Sequence, residues 1–406
     1  MTSPRAAFET AWCEALRDLD PTRLVREHVR QLAPRGRATV IAVGKAAPAM
    51  ALGAFQALAR PTPALVITTD GTCFEGLPTE ARVVFASHPV PDARSIAAAN
   101  AALRLARASK DGTLLVLVSG GASSLLCAPI RMSFEQKRKV TDQLLRSGAS
   151  IRAFNTVRRH ISGVKGGGLA VACPTRVHCA VISDVVGGAA HDVGSGPAVV
   201  DPTTVQDARD VVRQHLDEGL YTLCESAFRE SLKPTEDVLA RVSSAMLASP
   251  EDLAHALSSR LRAQGWDVRD GNMLEATAER LSEVLLRHAR ALVPGQGWVV
   301  ACEPTLHVPE GAGRGGRAGW VALHALRSLP EDVTLWAAAS DGVDGNGGAG
   351  GACVTGMGKH RIDPASVDAC LFRRDDVAVH TVLGSSLQGN PTGSNLTDVY
   401  AVLRAR

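Results

Sequence analysis

No two cysteines in this chain are spaced as CxxC, and the nine present (residues 13, 73, 127, 173, 179, 224, 302, 353 and 370) are odd in number. That excludes the usual disulfide framework and the usual structural zinc site, and it suits a reducing compartment. There is no run of about 18 apolar residues, so nothing is expected to span a bilayer. Nor is the amino terminus expected to be a secretory segment. Glu9, Glu14 and Asp18 interrupt the amino terminus, where Phe8, Trp12, Ala15, Leu16 and Leu19 recur at helical spacing. The cytoplasm is therefore the expected location. The formal net charge of +3 is spread along the chain without a basic tail. This argues against nucleic acid as a partner and leaves small anions open. Internal repeats and low-complexity tracts are absent, as are GxxxxGK[ST] and the protein-kinase motifs. Any phosphate-binding loops must be of another kind.

What is present points to an α/β chain in two α/β domains. A chain of 406 residues exceeds one typical core, and 45% hydrophobic with 21% charged residues is ordinary globular composition. Short apolar runs at 38–43, 64–69, 82–86, 113–118 and 177–182 alternate with helical stretches at 46–59, 95–109 and 135–145. Such alternation predicts a parallel sheet with helices on both faces. From about Val205 the pattern turns helical and passes through the polar stretch Lys233-Pro234-Thr235-Glu236. The expected domains are therefore 1–235 and 236–406. The second contains helices at 251–263, 276–292 and 319–329, a short strand beginning at Asp267, and strands at 297–302 and 333–339. Its glycine-dense stretches 311–316 and 345–351 read as loops.

Several strands end in a Gly- or Ser-rich loop with a charged or hydroxyl residue: Gly44-Lys45, Ser119-Gly120-Gly121, Ser183-Asp184 and Ser340-Asp341. Ligands of open α/β sheets bind at such strand ends. Backbone N–H groups around Ser119, Gly120, Gly121 and Ser123 are candidates to cradle an anion, although glycine could simply make the turn. Lys45 is a candidate point charge for a phosphoryl or carboxylate group, although lysines after strands are usually solvated. Arg158 and Lys165 lie in the basic segment from Asn155 to Gly168, beside three glycines, a pattern suited to phosphate. Glu303, Asp341 and Asp344, with Asp184, are carboxylates near strand ends suited to Mg²⁺ carried by ATP, and any of them could instead cap a helix. His88 could orient a loop as readily as take part in chemistry. Gly311 to Gly316 satisfies GxGxxG, which keeps a nicotinamide dinucleotide open. Against that, Pro304 and Pro309 separate it from its strand, and Arg314 and Arg317 suit direct capture of an anion.

Read in order, these loops resemble the glycerate 2-kinase family with a MOFRL-type carboxyl-terminal domain. The stretches that carry the resemblance are Val43 to Ala47, His88 to Asp92, Ser119 to Ser123, Asn155 to Lys165, Ser183 to Val185 and Ser195 to Pro197. Asp201 to Thr204, Gly313 to Arg317, Asp341 to Gly345 and Asn390 to Asn395 complete the set. The resemblance implies an amino-terminal Rossmann-like domain, a smaller carboxyl-terminal α/β domain, ATP and Mg²⁺ as cofactors, and D-glycerate converted to 2-phosphoglycerate. It implies that Lys45 and Arg317 line the active site; the mechanism expected here has them hold phosphate and the anionic substrate, with Asp184 as metal ligand or proton acceptor. The partners are then a small anionic hydroxy acid and a nucleotide, with a homodimer left open. Three positions where the family is usually acidic hold Gly188, Trp320 and Gly348. They leave two accounts beside a glycerate kinase: a changed hydroxy acid in a pocket reshaped by Trp320, or lost phosphoryl transfer. A NAD(P)-dependent hydroxypyruvate reductase is the remaining alternative.

Overall fold

The computed structural model describes residues 3–34, 36–58, 62–72, 75–273 and 275–406. Cys73 and Ala59, the last residue of one expected helix, lie outside the described residues. The chain forms two compact units. One comprises Pro21–Ser183 and Gly188–Leu247. The other comprises the opening segment to Asp20, Asp184–Gly187 and Ala248–Arg406. No described helix is long and apolar enough to cross a membrane.

The first unit is built on β1 (Ala38–Val43), β2 (Ala64–Thr69), β3 (Ala81–Ala86), β4 (Thr113–Val118), β5 (Arg176–Ile182) and β6 (Val242–Ala248), in the order β3-β2-β1-β4-β5-β6. The registers joining β1 to β2, β1 to β4, β2 to β3 and β4 to β5 are all parallel. The central strands β1 and β4 are buried at every position, as a strand covered on both faces must be, and their Val, Leu and Ile content suits that place. Helices Ala47–Ala57 and Ala93–Ala108 make crossovers, the latter opened by an Asp92 capping box with Ser95. The chain first builds β1, β2 and β3 to one side and then places β4 on the other. The strand order therefore reverses between β1 and β4, and their carboxyl ends bound the crevice where such sheets hold ligands.

The second unit is built on β7 (Asp267–Asp270), β8 (Gln296–Cys302), β9 (Val333–Ala339), β10 (Ala349–Thr355), β11 (Ser386–Gln388) and β12 (Asp398–Arg404), in the order β11-β10-β9-β12-β8-β7. This sheet is mixed. β12 runs antiparallel to β8 and β9, and β10 antiparallel to β9 and β11, while β7 and β8 are parallel. Part of the glycine-dense stretch expected as a loop is strand β10. Its Gly351 sits where a Cβ would run into the β9 backbone at Ala337 and Ala338, so glycine permits the close pairing. The opening helix Pro4–Asp18 belongs to this unit. Phe8 is fully buried and stacks on Trp336 at 5.6 Å, and Arg260 holds Asp18 at 2.6 Å. The passage between units lies at Leu247/Ala248 and not at 235/236. After the polar stretch and the short helix Glu236–Arg241, β6 still has to be added to the first sheet.

Candidate active site

At the β1/β4 reversal, the Gly44-Lys45 turn and the Ser119-Gly120-Gly121 turn are joined backbone to backbone. Lys45 N donates to Gly120 O at 2.9 Å, and Ala46 N donates to Ser119 Oγ at 3.1 Å. Gly44 (φ +127) has no room for a Cβ against Ser119, and Gly121 (φ +82) would bring one within 3.1 Å of the His88 ring and 3.5 Å of Lys45 Cγ. Lys45, His88 and Gly121 are therefore neighbours. Burial, reinforced by the charge of Lys45, holds the His88 imidazole below its ordinary pKa.

Arg158 and Lys165 both lie beside this loop. Lys165 Nζ donates to Ser123 O at 2.7 Å and to Ser123 Oγ at 3.0 Å, and Arg158 Nη2 reaches Ser123 O at 3.3 Å. Ser123 Oγ is 3.0 Å from Ser195 Oγ, which donates to Asn155 Oδ1. Lys165 is 1% exposed. Its pKa is driven well down by burial and then by the neighbouring charges of Arg158 and Lys137. Lys137 was not anticipated. The available signal was its place on helix Phe134–Arg146, where Lys137, Val140 and Leu144 form the buried stripe at i, i+3, i+7 spacing.

In the second unit, Arg317 opens helix Arg317–Leu326. Its Nη1 lies 2.7 Å from Glu303 Oε1 and its Nε 3.3 Å from Asp398 Oδ2. Asp398, the first residue of β12, is 3% exposed. Burial raises its pKa to about 7 against the pull of Arg317, and Tyr400 donates to its Oδ2 at 3.3 Å. Asp344 is used differently. Its Oδ1 accepts from Ala318 N at 3.0 Å and its Oδ2 from Gly319 N at 2.7 Å, closing the amino end of the same helix. Asp341 Oδ1 accepts from Val343 N, and Asp184 Oδ2 accepts from Asn395 Nδ2 at 3.2 Å. Arg314 is exposed, with its Nη2 donating to Gly347 O.

Residues 7–225 match the family described as a domain of unknown function (DUF4147), and residues 296–398 match the MOFRL family. A D-glycerate 2-kinase of Thermotoga maritima is 32% identical over 395 residues, covering 93% of each chain. The chain belongs to the glycerate 2-kinase family. The crystal structure of glycerate kinase from Thermotoga maritima matches with a TM-score of 0.85 at 30% identity, over 98% of both chains. Another relative, from Agrobacterium vitis, is provisionally named hydroxypyruvate reductase; it is 32% identical over 424 residues, 99% of this chain and 94% of its own.

The kinase reading stands over the reductase reading, and the GxGxxG loop shows a physical reason. Its Gly313, Gly315 and Gly316 are small because carboxylates lie against them. A Cβ at these positions would strike Asp375, Asp376 and Asp344 respectively. Burial and then the charge of Asp344 raise the Asp376 pKa to about 8. The helix amino end that would receive a pyrophosphate is already closed by Asp344. Two further expectations are corrected. Glu303, Asp341 and Asp344 do not gather as a ligand set, since among the described residues no three His, Cys, Asp or Glu side chains converge to hold a metal ion. Trp320 is not a pocket wall. It is 3% exposed within the core of the second unit, its Nε1 donates to Leu371 O, and the Arg374 guanidinium covers its ring. Gly348, at φ +77, has the backbone conformation that an acidic residue would adopt under strain.

The cap role of Asp344 is testable in this family member. Asp344→Ala leaves two buried backbone N–H groups unsatisfied and should cost about 2–3 kcal/mol. The melting temperature, followed by circular dichroism, should drop by several degrees, and an unchanged melting curve would refute the cap.

Proposed function

We propose that this protein transfers the γ-phosphate of ATP to a hydroxyl of a short hydroxy acid, D-glycerate first among them, to give 2-phosphoglycerate. The observation that carries the reading is the β1/β4 strand reversal, whose turns bring Lys45 beside Gly121, with Arg158 and Lys165 bonded to Ser123 behind it. Loops of this kind bind phosphate or carboxylate oxygens by backbone N–H groups and fixed charge. In this reading Lys45 steadies charge on the group in transfer, and Ser119, Gly120, Gly121 and Ser123 bind oxygens. Arg317, held in orientation by Glu303 and Asp398, takes an anionic oxygen of substrate or phosphoryl group, with Arg314 as an outer contact. Asp184, oriented by Asn395, accepts the hydroxyl proton. Positioning and charge neutralisation supply most of the acceleration in such transfers.

Mg²⁺ is proposed as the accompanying ion. Magnesium commonly takes one or two carboxylates, the remaining positions being phosphate oxygens and water. The residues fit that sparse mode, through Asp341 or Glu303, and not a protein cage, because Asp344 is committed to its helix. When bound, the ion would neutralise phosphate charge.

The test is ATP consumption by the full chain over D-glycerate and related short hydroxy acids, with the product's phosphate position read by phosphorus NMR. Turnover should cease with EDTA and return with excess Mg²⁺. Oxidation of NADH by hydroxypyruvate, without ATP consumption on any hydroxy acid, would reverse the proposal.

A further inference from the structure

Arg159 and Lys137 show two ways in which this fold treats a buried cation. Arg159, 3% exposed, has carboxylates supplied to it, with its Nε 3.1 Å from Asp201 Oδ1 and its Nη1 3.7 Å from Asp192 Oδ1. Lys137 is 6% exposed, and among the described residues its Nζ has no oxygen or nitrogen partner, only the Cys127 thiol beside it. The charged and titratable groups that act on it are Cys127 and Arg158, and Lys165 feels it in turn. These are two more cations and one thiol, with no carboxylate among them. Arg158 and Lys165 in turn direct donors to Ser123, which with Gly121 is the partly exposed part of an otherwise buried loop of the first unit. Burying like charges together is costly unless a counter-charge arrives.

The geometry points to Lys137, Arg158 and Lys165 as one oxyanion-binding cluster behind the Ser119–Ser123 loop, whose counter-charge is the bound carboxylate or phosphate of a ligand. This rests on the reading of that loop as the substrate site and adds to it a residue, Lys137, from a helix that carries no glycine-rich motif. It also adds a proton linkage. Burial, with Arg158 opposing, lowers the Lys137 pKa to about 8. An arriving anion favours the charged form, so a proton is taken from solvent onto the Nζ amine and stays there while the anion is bound. Affinity is then fully developed below the ligand-free pKa and falls as pH rises through it.

The test is calorimetric titration of the full chain with D-glycerate and, separately, with sodium sulfate, at pH 7.5 and 9.5. Neither probe titrates in that interval, so the carboxylate and the tetrahedral oxyanion are distinguished by which of them responds. Wild-type affinity for at least one should fall about tenfold between the two pH values. Lys137→Met should bind that probe about tenfold more weakly at pH 7.5, with the pH dependence gone. Lys137→Arg should keep wild-type affinity at pH 7.5 and retain it at pH 9.5. A Lys137→Met protein that binds both probes as wild type does at both pH values overturns the cluster, as does a wild-type protein that binds neither. If Lys137→Met does not fold, the Lys137→Arg profile decides alone, and a drop at pH 9.5 equal to that of wild type counts against the proposal. Turnover separates the two readings. Normal phosphorylation of D-glycerate with a silent Lys137 removes the cluster alone, whereas a responsive Lys137 without ATP consumption removes the kinase reading alone.

Discussion

Lys45→Ala should lower ATP-dependent turnover of D-glycerate by about a thousandfold or more while leaving the fold intact. The large loss follows because a fixed positive charge on a group in transfer is worth several kcal/mol in a site that excludes water. The small structural effect follows from the turn itself. It is held by Lys45 N on Gly120 O and by Ala46 N on Ser119 Oγ, and both bonds survive truncation of the side chain. A change of about 0.5 kcal/mol, or roughly 2 °C in melting temperature, is expected from calorimetry. A second readout reports proximity. The charge of Lys45 helps to depress the His88 pKa, so proton NMR of the variant should show His88 titrating at higher pH than in wild type, though still lowered by burial. Near-normal kinetics in this variant would remove Lys45 from the mechanism.

Arg317→Ala should be damaging twice over, in activity and in pH-dependent stability. Activity should fall about a hundredfold or more if, as proposed, the guanidinium that Glu303 and Asp398 orient is the group that takes the anion. Stability should fall because Asp398 loses its ion partner while still buried; about 2–3 kcal/mol is expected, at the low end for buried pairs since Arg317 is 37% exposed. The sign of the pH effect follows from Asp398. Its folded pKa of about 7 lies above the unfolded value near 3.9, so the folded chain keeps a proton that the unfolded chain releases, and stability declines as pH rises between them. Without Arg317 the folded pKa climbs further and the decline extends to higher pH. The melting-temperature gap between variant and wild type should therefore be narrow near pH 6 and wide near pH 8.5. A gap constant across that range would show that Asp398 does not sense Arg317.

The strands of the first sheet were legible because β1, β2 and β4 are continuous apolar runs that stop at Gly, Thr or Ser, and a buried parallel strand has no other way to read. The carboxyl-terminal sheet was harder to see. β10 begins Ala-Gly-Gly, a composition that signals a loop until Gly351 is found pressed against β9. β12 lies at the end of the chain, yet its partners β8 and β9 lie far back in the sequence, so its central position is a property of pairing and not of local pattern. Among candidate site residues, Lys45, Arg158, Lys165 and Arg317 were visible because they flank glycine-rich turns. Asp398 and Asp376 were not, since the groups around them come from distant parts of the chain. Asp344 shows the limit of residue type as a guide. A carboxylate beside glycines suggested a metal ligand, and the nearby amino end of helix Arg317–Leu326 uses it as a cap.

The helix Pro4–Asp18 is translated long before the surface it covers is complete. Trp336, against which Phe8 and Trp12 pack, is translated more than 300 residues afterwards. Until then the helix must wait beside a growing chain with its apolar face exposed to competing partners. Expression of residues 248–406 alone would deprive Trp336 of that cover and leave an adhesive patch, so a soluble version of this half has to carry the opening segment grafted back onto it.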